Sequence, residues 1–329
     1  MPSVDVAGEF ETIRKLFAPL AHPEWGRGLK DDVAALPTRP GHDLVLTKDA
    51  IVEGVHFLPT DPLDTVAQKL LRTNLSDLAA KGAEPFGYLL ACFWSERCGW
   101  PEREAFVAGL KADQKAFGVS LLGGDTVVTS GPASFSLTAL GWAPKGVVIG
   151  RNGARVGDLV FVTGAIGDGW LGLQAAQGRL GLDPERLMAL ADHYRAPMPR
   201  VEFAPTIREL ASASIDVSDG LIADLGHIAE ASGVGIEIDL ALTPLSAAAN
   251  AWFEDRVDPV AALEKLVTGG DDYEIAFTAA AKDEEALRRE AERRLLRLTR
   301  IGRVVAGKGV KARFANENVK FDKAGFTHR

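Results

Sequence analysis

The sequence predicts an α+β protein with two domains. Its 329 residues are enough for two domains of ordinary size. Strand-like and helix-like segments alternate along the chain, but without the regular spacing of the βαβ units that build a single parallel sheet. Residues 143–158 are rich in glycine and in helix-breaking residues. We therefore expect an N-terminal domain over 1–145 and a C-terminal domain over 146–329.

The first half of the chain is predicted to contain a sheet with flanking helices. Residues 9–20 have the apolar spacing of a short amphipathic helix, and residues 42–57 are rich enough in β-forming residues for one or two strands. Helical periodicity over 64–81 is interrupted at Asn74–Asp77, so two helices are expected to meet there. The remaining elements are a helix at 101–117, a strand and glycine turn at 118–128, and a strand at 133–143.

The second half continues the alternation of strands and helices. It begins with a strand, a glycine turn and a helix over 158–177, and a further strand and helix are predicted over 213–232. The remaining elements are helices around 185–210, a strand at 235–240 and a long charged helix at 282–296.

Two aspartates flank the predicted start of the helix within 213–232. Apolar residues recur at helical spacing from Gly220 onward, so Ser218 or Asp219 is the expected N-cap. One cap needs only one aspartate. Asp216, at the expected end of the preceding strand, is therefore left without a structural task.

Composition excludes several classes of function. A hydrophobic content of 47% and a mean hydropathy of +0.03 are typical of a globular protein with a sizeable core. The longest uncharged run, Thr126–Pro144, is broken by Gly, Pro, Ser and Thr, so no membrane span is expected. The N-terminus shows no basic region followed by an apolar one, and we expect a cytoplasmic protein. A net charge of −8 argues against a nucleic-acid partner, and Cys92 and Cys98 are expected to be reduced and without function.

Aspartates recur where strands are expected to end and turns to begin. One reading is structural, because aspartate is common in turns and at helix N-caps. The other is a metal site, because carboxylates gathered in one cleft repel one another unless cations neutralise them. Magnesium suits hard oxygen ligands and binds carboxylates together with substrate phosphates. The aspartates concerned are Asp31, Asp32, Asp49, Asp77, Asp125, Asp216, Asp219, Asp271 and Asp272.

Common nucleotide-binding signatures are missing from the sequence. The chain contains neither a Walker A string nor the catalytic-loop and DFG strings of protein kinases. A nucleotide would therefore have to be held through metals on aspartates and through backbone amides of a glycine turn such as Gly123–Thr126.

One pattern occurs in both halves of the chain. Ser76 and Asp77, expected at a helix start, are followed by Gly123–Asp125, and Ser218 and Asp219 are followed at similar spacing by Gly269–Asp271. Such short strings also arise by chance. The pattern leaves open whether the two halves are built on related plans.

Seven segments, taken together and in order, resemble the thiamine-monophosphate kinase family. That family belongs to the ATP-binding superfamily typified by aminoimidazole ribonucleotide synthetase. The similarity runs from about residue 8 to the C-terminus. The segments are KDDVAAL (30–36), DAIVEGVHF (49–57), NLSDLAAKGAEP (74–85), GGDT (123–126), RNGARVGD (151–158), IDVSDGLIADLGHI (215–228) and GGDDYEIAFT (269–278).

The resemblance implies a fold, a reaction and a set of ligands. The implied fold has two α/β-type domains, and the N-terminal sheets of two subunits join in a barrel-like interface, giving a homodimer. The implied reaction is phosphorylation of thiamine monophosphate by ATP, with several Mg²⁺ ions, to give thiamine diphosphate and ADP. The acceptor is itself a phosphate, with a second pKa of about 6. No protein side chain is therefore expected to act as a general base.

The resemblance also assigns roles to individual residues. It places Asp32, Thr47, Asp49, Asp77, Asp125, Asp216 and Asp219 at magnesium positions. The nucleotide positions are Gly124, Asp125, Arg151 and Ser218. The substrate positions are His56, Asp271 and Phe326.

The chain departs from the family pattern at several of these places. Lys30 replaces a glycine, Lys48 stands where a small hydroxyl residue is usual, and Asp271 replaces a glutamate. The ending GFTHR also differs from the usual tail, which leaves the role of Phe326 open. A lysine ammonium cannot ligate a metal. We hypothesise that one of the two lysines supplies a cation near the phosphates, so that fewer magnesium ions bind.

Two rival interpretations remain. One is a different superfamily activity, such as ATP-dependent ring closure, selenophosphate synthesis or carbamoyl dehydration. No reactive cysteine lies near either terminus, which disfavours the last two. The other is a non-catalytic nucleotide-binding paralogue, in which Lys30 and Lys48 mark a decayed site.

Overall fold

The computed structural model describes residues 8–321 and 323–326. These residues form two compact units. The first unit combines the residues up to Leu78 with Glu84–Gly146, and the second combines Ala79–Ala83 with the residues from Val147 onward. The short segment Ala79–Ala83 joins the second unit through hydrogen bonds. Lys81 Nζ donates to Ser214 O, and Arg208 donates to Gly82 O.

The first unit contains a four-stranded sheet. The first described element of the unit is helix α1 (Glu9–Thr12), which continues as a π-helical turn (Ile13–Phe17) and a 3₁₀ turn (Ala18–Leu20). The sheet has the strand order β1-β4-β2-β3, with β2 and β3 parallel and the other pairs antiparallel. The elements after the N-terminal turns are β1 (His42–Val52), α2 (Leu63–Ala80), β2 (Glu84–Ser95), α3 (Trp100–Phe117), β3 (Ser120–Thr129) and β4 (Ser134–Pro144).

Two predictions for this unit were wrong. Helix α2 runs unbroken through 74–77, because the buried polar side chains there have partners within the unit, such as the Asn74 amide that donates to Leu70 O at 2.8 Å. The glycines of 123–126 lie inside strand β3 rather than in a turn. Ser76 and Asp77 consequently lie within a helix, not at its start.

The two faces of the sheet differ in character. One face packs against α2 and α3, where Trp94 and Phe135 contact Phe106 of α3 at ring-centroid distances of 5.3 and 4.4 Å. The other face, which we call the open face, is covered at one end, where Trp25 packs edge-on against Phe86 and Phe86 stacks on Trp142 at 5.2 Å, and it exposes apolar side chains over the rest of the sheet. Its exposed apolar side chains are Leu44, Leu46, Leu89, Phe93 and Val127. The strands form an open sheet with β1 and β3 as edges.

The second unit contains a seven-stranded mixed sheet with the order β11-β10-β7-β9-β5-β8-β6. Only β7 and β10 pair in parallel among the strands described. Its strands are β5 (Leu159–Thr163), β6 (Ala213–Asp216), β7 (Gly235–Asp239), β8 (Ile275–Ala279), β9 (Leu298–Val305), β10 (Gly309–Phe314) and β11 (Glu317–Val319). Its helices are α4 (Asp168–Ala176), α5 (Pro184–Arg195), α6 (Ala204–Leu210), α7 (Leu221–Ser232), α8 (Ala247–Glu254), α9 (Pro259–Thr268) and α10 (Glu284–Arg293).

Both faces of this sheet are covered. Val160 and Val162 of β5 point into the core that includes α7, whereas Phe161 points to the opposite side and stacks on Phe277 at 5.4 Å. Burial on both faces of the sheet explains why the β5 sequence is a nearly continuous run of apolar residues. Helix α10 is shorter than the predicted 282–296, because Leu295 adopts a left-handed backbone conformation with φ of 52°.

The end of β6 and the start of β8 lie side by side in this sheet. The strands are antiparallel, and Asp216 at the end of β6 is paired with Ile275 at the start of β8. The segments 217–220 and 269–274 are therefore neighbours.

Among the described residues, no helix is both long enough and apolar enough to span a membrane.

Candidate functional site

A cluster of three predicted metal ligands lies between β1 and α2 of the first unit. Thr47 and Asp49 share the helix-covered face of β1, two residues apart. The Thr47 hydroxyl donates a hydrogen bond of 2.5 Å to the carboxylate of Asp77 on α2. Asn74, one helical turn before Asp77, accepts the backbone N–H of Asp49 at 3.2 Å. Strand and helix thus hold the three oxygen-bearing side chains together.

The electrostatics of this cluster favour a bound cation. Burial and, to a smaller extent, the charge of Asp77 together raise the pKa of Asp49 to about 6. Two neighbouring carboxylates that lose their hydration are stabilised in the ionised form by a positive charge. The cluster of Thr47, Asp49 and Asp77 therefore has the chemistry of a site for a hard divalent cation.

A groove of about 610 Å³ lies elsewhere in the same unit. Its wall is largely apolar, with Phe10, Ile13 and Leu121 among the lining residues. Asp32 and Asp125, two further predicted metal ligands, line the groove, as do Gly124 and the basic side chain of Lys30.

Asp125 is separated from Asp49 and Asp77 by the sheet. The exposed Asp125 lies on the open face of β3, whereas Thr126 points to the helix-covered face and accepts a hydrogen bond from Trp94 Nε1 at 2.8 Å. Within this unit the five predicted metal ligands thus fall into two groups, one in the groove and one between β1 and α2.

His56 lies in a tight turn directly after β1. Its backbone N–H donates to Val52 O at 2.9 Å, and its Nδ1 accepts the backbone N–H of Val52 at 3.1 Å. Since Nδ1 is an acceptor here, a neutral His56 ring carries its proton on Nε2. The ring is therefore held against the end of the strand that carries Asp49.

In the second unit, the loop between β6 and α7 collects several predicted residues. Asp216 ends β6 and is only 5% exposed, and Ser218 and Asp219 follow in the turn. The predicted cap was wrong, because neither Ser218 nor Asp219 caps α7 with its side chain. Instead, Asp224 Oδ2 accepts the backbone N–H groups of Ser218, Asp219 and Gly220 at 3.1, 3.1 and 3.2 Å. The Asp219 side chain is consequently not used as a cap.

Asp219 forms part of a three-residue cluster that could hold a metal. One ligand atom each from Asp219, Asp224 and His227 lies within 4.8 Å of the others. Burial, followed by the charge of Asp219, raises the pKa of Asp224 to about 7. A cation at Asp219 would stabilise the ionised form of both carboxylates.

Two predicted substrate residues lie against the same loop. The backbone N–H of Asp271 donates to Ser218 O at 2.8 Å, and that of Phe326 donates to Asp219 O at 2.9 Å. The Phe326 ring is half-exposed. The structure thus brings Ser218, Asp219, Asp271 and Phe326 together.

Arg151 lies beside β6 rather than in this hydrogen-bonded cluster. The carbonyl of its neighbour Gly150 accepts the backbone N–H of Ser214 at 3.1 Å, and Arg151 O accepts the Ser232 hydroxyl at 2.9 Å. These bonds fix the backbone while the Arg151 side chain is exposed.

Sequence reasoning assigned no site role to Asn74, Asp224, His227 and Tyr273. Asp224 and His227 are three residues apart on α7, and this helical spacing is a signal that both point to one side. Asn74 is three residues before Asp77 on α2 and has the same kind of signal. Nothing comparable marks Tyr273, whose contact with Asp271 depends on an unusual backbone turn.

Comparison with known proteins identifies the family. Residues 30–143 match the family model described as AIR synthase related protein, N-terminal domain, and residues 155–315 match its C-terminal counterpart. A thiamine-monophosphate kinase of Caulobacter vibrioides is 47% identical over 328 residues, covering 99% of this chain and 92% of the relative. This chain belongs to the thiamine-monophosphate kinase family.

Solved structures of thiamine-monophosphate kinases have a similar fold. The enzyme from Stenotrophomonas maltophilia K279a superposes with a TM-score of 0.79 at 38% identity, covering 88% of this chain and 91% of that one. A structure described as AaThiL complexed with AMPPCP and TMP gives a TM-score of 0.77 at 31% identity, covering 91% of each chain. The two-unit α+β architecture is therefore shared with this family.

Proposed function

We propose that this chain transfers the terminal phosphoryl group of ATP to the phosphate of thiamine monophosphate, forming thiamine diphosphate and ADP. One observation of the structure carries the proposal: Thr47, Asp49 and Asp77 meet as a half-buried oxygen-rich cluster in a family named for this reaction. A related structure is described as a complex with AMPPCP and TMP. The reaction belongs to thiamine diphosphate biosynthesis, and the cytoplasmic location expected from the sequence is kept as part of this proposal.

The groove of the first unit is the proposed binding site for the nucleoside part of ATP. Its apolar wall suits a flat base, and Gly124 allows close approach to the strand because it has no side chain. The Lys30 ammonium lies at the same groove, where it can pair with a phosphate. Ser218 and Arg151 are the proposed nucleotide contacts of the second unit.

Magnesium is the proposed cofactor. The donor atoms fit a hard cation, since six of the seven proposed ligands are carboxylates and the seventh is a hydroxyl. When bound, magnesium neutralises phosphate charge and stabilises the transferring phosphoryl group. The proposed ligands are Asp32, Thr47, Asp49, Asp77 and Asp125 in the first unit and Asp216 and Asp219 in the second.

The protein's own contribution to the transfer is binding and orientation. The acceptor phosphate is largely deprotonated near neutral pH, with a second pKa of about 6, so no side chain has to remove a proton. Asp271, His56 and Phe326 are the proposed contacts of the thiamine moiety. A carboxylate suits this role, because thiamine carries a cationic ring and an amino group.

The two lysines that depart from the family pattern, Lys30 and Lys48, lie at different places in the first unit. Lys30 lines the groove with Asp32 and Asp125, whereas Lys48 Nζ is on the open face, 3.5 Å from Thr138 Oγ1. Lys30 is thus the better candidate for the built-in cation. The magnesium count in a crystal structure with bound nucleotide checks this; a lower count that rises in Lys30→Gly is expected, and an unchanged count rejects it.

The proposed active form is a homodimer in which the open faces of two four-stranded sheets meet. The exposed apolar side chains of that face support this arrangement. A homodimer of this type covers a surface that would otherwise be left in contact with water.

The test of the proposed function is a product assay. Purified protein is incubated with ATP, magnesium and thiamine monophosphate, and the products are separated by chromatography. Thiamine diphosphate and ADP are expected in equal amounts. Asp77→Ala removes the acceptor of the Thr47 hydroxyl and one carboxylate of the cluster, and we expect at least about a 100-fold lower rate.

The matched control is Asp43→Ala on the same strand as Asp49. Asp43 accepts the backbone N–H of Gly146 at 2.7 Å and belongs to none of the proposed sites, so its variant should retain the wild-type rate. ATP binding by the wild type without any ADP or thiamine diphosphate would favour the non-catalytic paralogue instead.

A further inference from the structure

The proposed substrate residue Asp271 lies in an unusual backbone turn. Asp271 and Tyr273 have positive φ angles of 66° and 51°, and Gly270 precedes them with φ of 74°. A left-handed conformation is unfavourable for most residues other than glycine, and more so for tyrosine than for aspartate. Two such residues in one turn persist only where the surrounding structure fixes the backbone.

Two backbone hydrogen bonds and the buried carboxylate of Asp272 hold this turn in place. The backbone N–H groups of Asp271 and Tyr273 donate to Ser218 O and Val217 O, both at 2.8 Å. Between them, the buried carboxylate of Asp272 accepts the backbone N–H groups of Gly167 at 2.9 Å and Gly169 at 3.0 Å. The turn is thereby attached to the loop that carries Ser218 and to the start of α4.

Neighbouring backbone atoms pack closely around the turn. A Cβ atom on Gly270 would lie 2.5 Å from Ser218 O, and one on Gly169 would lie 2.4 Å from the carbonyl carbon of Asp271. The backbone position of Asp271 is therefore fixed. Its side-chain torsions are the remaining freedom of the carboxylate.

Tyr273 restricts that freedom. Its hydroxyl donates a hydrogen bond of 3.2 Å to Asp271 Oδ1. Both side chains are half-buried, and the left-handed conformation at Tyr273 directs its ring back toward Asp271, two residues earlier. A donor at this place holds one carboxylate oxygen and so sets the direction of the other.

We propose that Tyr273 is a positioning residue for the thiamine moiety: its hydroxyl orients the Asp271 carboxylate toward the substrate. The inference rests on the proposed function, in which Asp271 contacts thiamine monophosphate. Loss of one such hydrogen bond corresponds to about a 3- to 10-fold weaker interaction. The effect should fall on KM for thiamine monophosphate and not on KM for ATP.

The experiment is a double-mutant cycle with Tyr273→Phe, Asp271→Asn and the double variant. We expect Tyr273→Phe to raise KM for thiamine monophosphate about 3- to 10-fold with kcat nearly unchanged. In the Asp271→Asn background the same substitution should have little further effect, because the neutral amide no longer makes the proposed charged contact with thiamine, although its oxygen can still accept the Tyr273 hydroxyl.

Tyr88→Phe is the matched control. Tyr88 in the first unit is buried and bonded to Gln114 at 3.0 Å, so its variant loses a tyrosine hydroxyl away from the proposed substrate residues. It should leave KM for thiamine monophosphate unchanged. If Tyr273→Phe does not fold, the cycle is repeated with Tyr273→His, whose shorter ring does not reach Asp271 and which tolerates positive φ.

The outcomes separate this inference from the proposed function. If Asp271→Asn raises KM for thiamine monophosphate but Tyr273→Phe does not, or if the two effects simply multiply, the positioning role of Tyr273 is wrong. If Asp271→Asn itself leaves KM unchanged, the proposed substrate contact fails as well. A KM effect of Tyr273→Phe that disappears in the Asp271→Asn background supports the inference.

Discussion

At the scale of single residues, Gly124 has the tightest steric constraint of the proposed nucleotide contacts. Strand β2 passes so near that a Cβ atom at this position would lie 1.8 Å from Leu90 O. At the neighbouring Gly123, a Cβ atom would meet only the end of the Leu89 side chain, at 3.4 Å. In β3, the neighbouring backbone thus excludes a side chain at position 124 but not at position 123.

We predict that Gly124→Ala disturbs both stability and nucleotide binding. Its methyl group has to displace the β2 backbone, and overpacking of this kind costs about 1–3 kcal/mol or more. Thermal unfolding and ATP titration of Gly124→Ala should both show a loss. Gly123→Ala is the matched control for stability and should unfold close to the wild type. Equal behaviour of the two variants would contradict the steric argument.

The strand and the helix around Asp216 and Asp219 could be predicted from the sequence, but the hydrogen bonds of the loop between them could not. Ser218 or Asp219 was expected to cap α7, yet neither does, and Asp224 in the first turn of the helix instead accepts three backbone N–H groups of the preceding loop. A pattern of residue types cannot show which of several nearby carboxylates bends toward the helix end. The closeness of Asp271 to Ser218 also depends on a fold that residue types do not reveal.

At the scale of elements, α2 and α3 are joined by a buried ion pair. Arg72 donates two hydrogen bonds of 2.8 Å to the carboxylate of Asp113, which also accepts one from Gln68 at 3.0 Å. Asp113 is almost fully buried. Three donors from one helix therefore meet one acceptor group on the other.

We predict that Asp113→Ala destabilises the protein by about 3–5 kcal/mol, because it removes the carboxylate partner of a mostly buried guanidinium. Urea unfolding followed by circular dichroism measures this effect. Glu285→Ala serves as comparison, since its partner Arg289 is on the exposed side of α10 and such pairs contribute at most about 1 kcal/mol. Similar losses in both variants would argue against the buried pair.

Helices and strands whose apolar residues recur with a clear period were easier to predict than the other elements. Helix α3 and strand β4 have strong apolar patterns and lie close to their predicted bounds. Strand β2, helices α8 and α9 and strands β8 to β11 were missed, although 269–278 was recognised as a motif. In β9, Arg300 and Arg303 are three residues apart and Gly302 separates the buried Ile301 from the rest of the strand, so the two-residue period of a strand is absent from this stretch.

At the scale of the whole molecule, the open face of the first unit is the proposed dimer interface. Leu46 is 57% exposed and Phe93 is 41% exposed, with Leu89 and Val127 on the same side of the sheet. Exposed apolar side chains gathered on one sheet face are typical of an interface between proteins. The proposed homodimer would bury them against the same surface of a second copy.

We predict that Leu46→Glu or Phe93→Glu shifts the protein from dimer to monomer. Placing a carboxylate in an apolar interface opposes association, because the charge loses its hydration. Size-exclusion chromatography with light scattering gives the mass directly. Val257→Glu is the control, because Val257 is fully exposed outside this face. A monomeric wild type would reject the proposed assembly, and a Glu variant that stays dimeric would reject this surface.

The strand order of the second unit constrains how the chain folds during translation. Strand β9 (Leu298–Val305) pairs with β5 on one side and β7 on the other. Until Leu298–Val305 leaves the ribosome, β7 lacks both of its partner strands, since β10 is made later still. The four strands of the first sheet, in contrast, are complete once Pro144 has emerged. The nascent chain therefore carries unpaired strand edges of the second unit over a long stretch of synthesis, and unpaired edges of this kind are what holdase chaperones protect from aggregation.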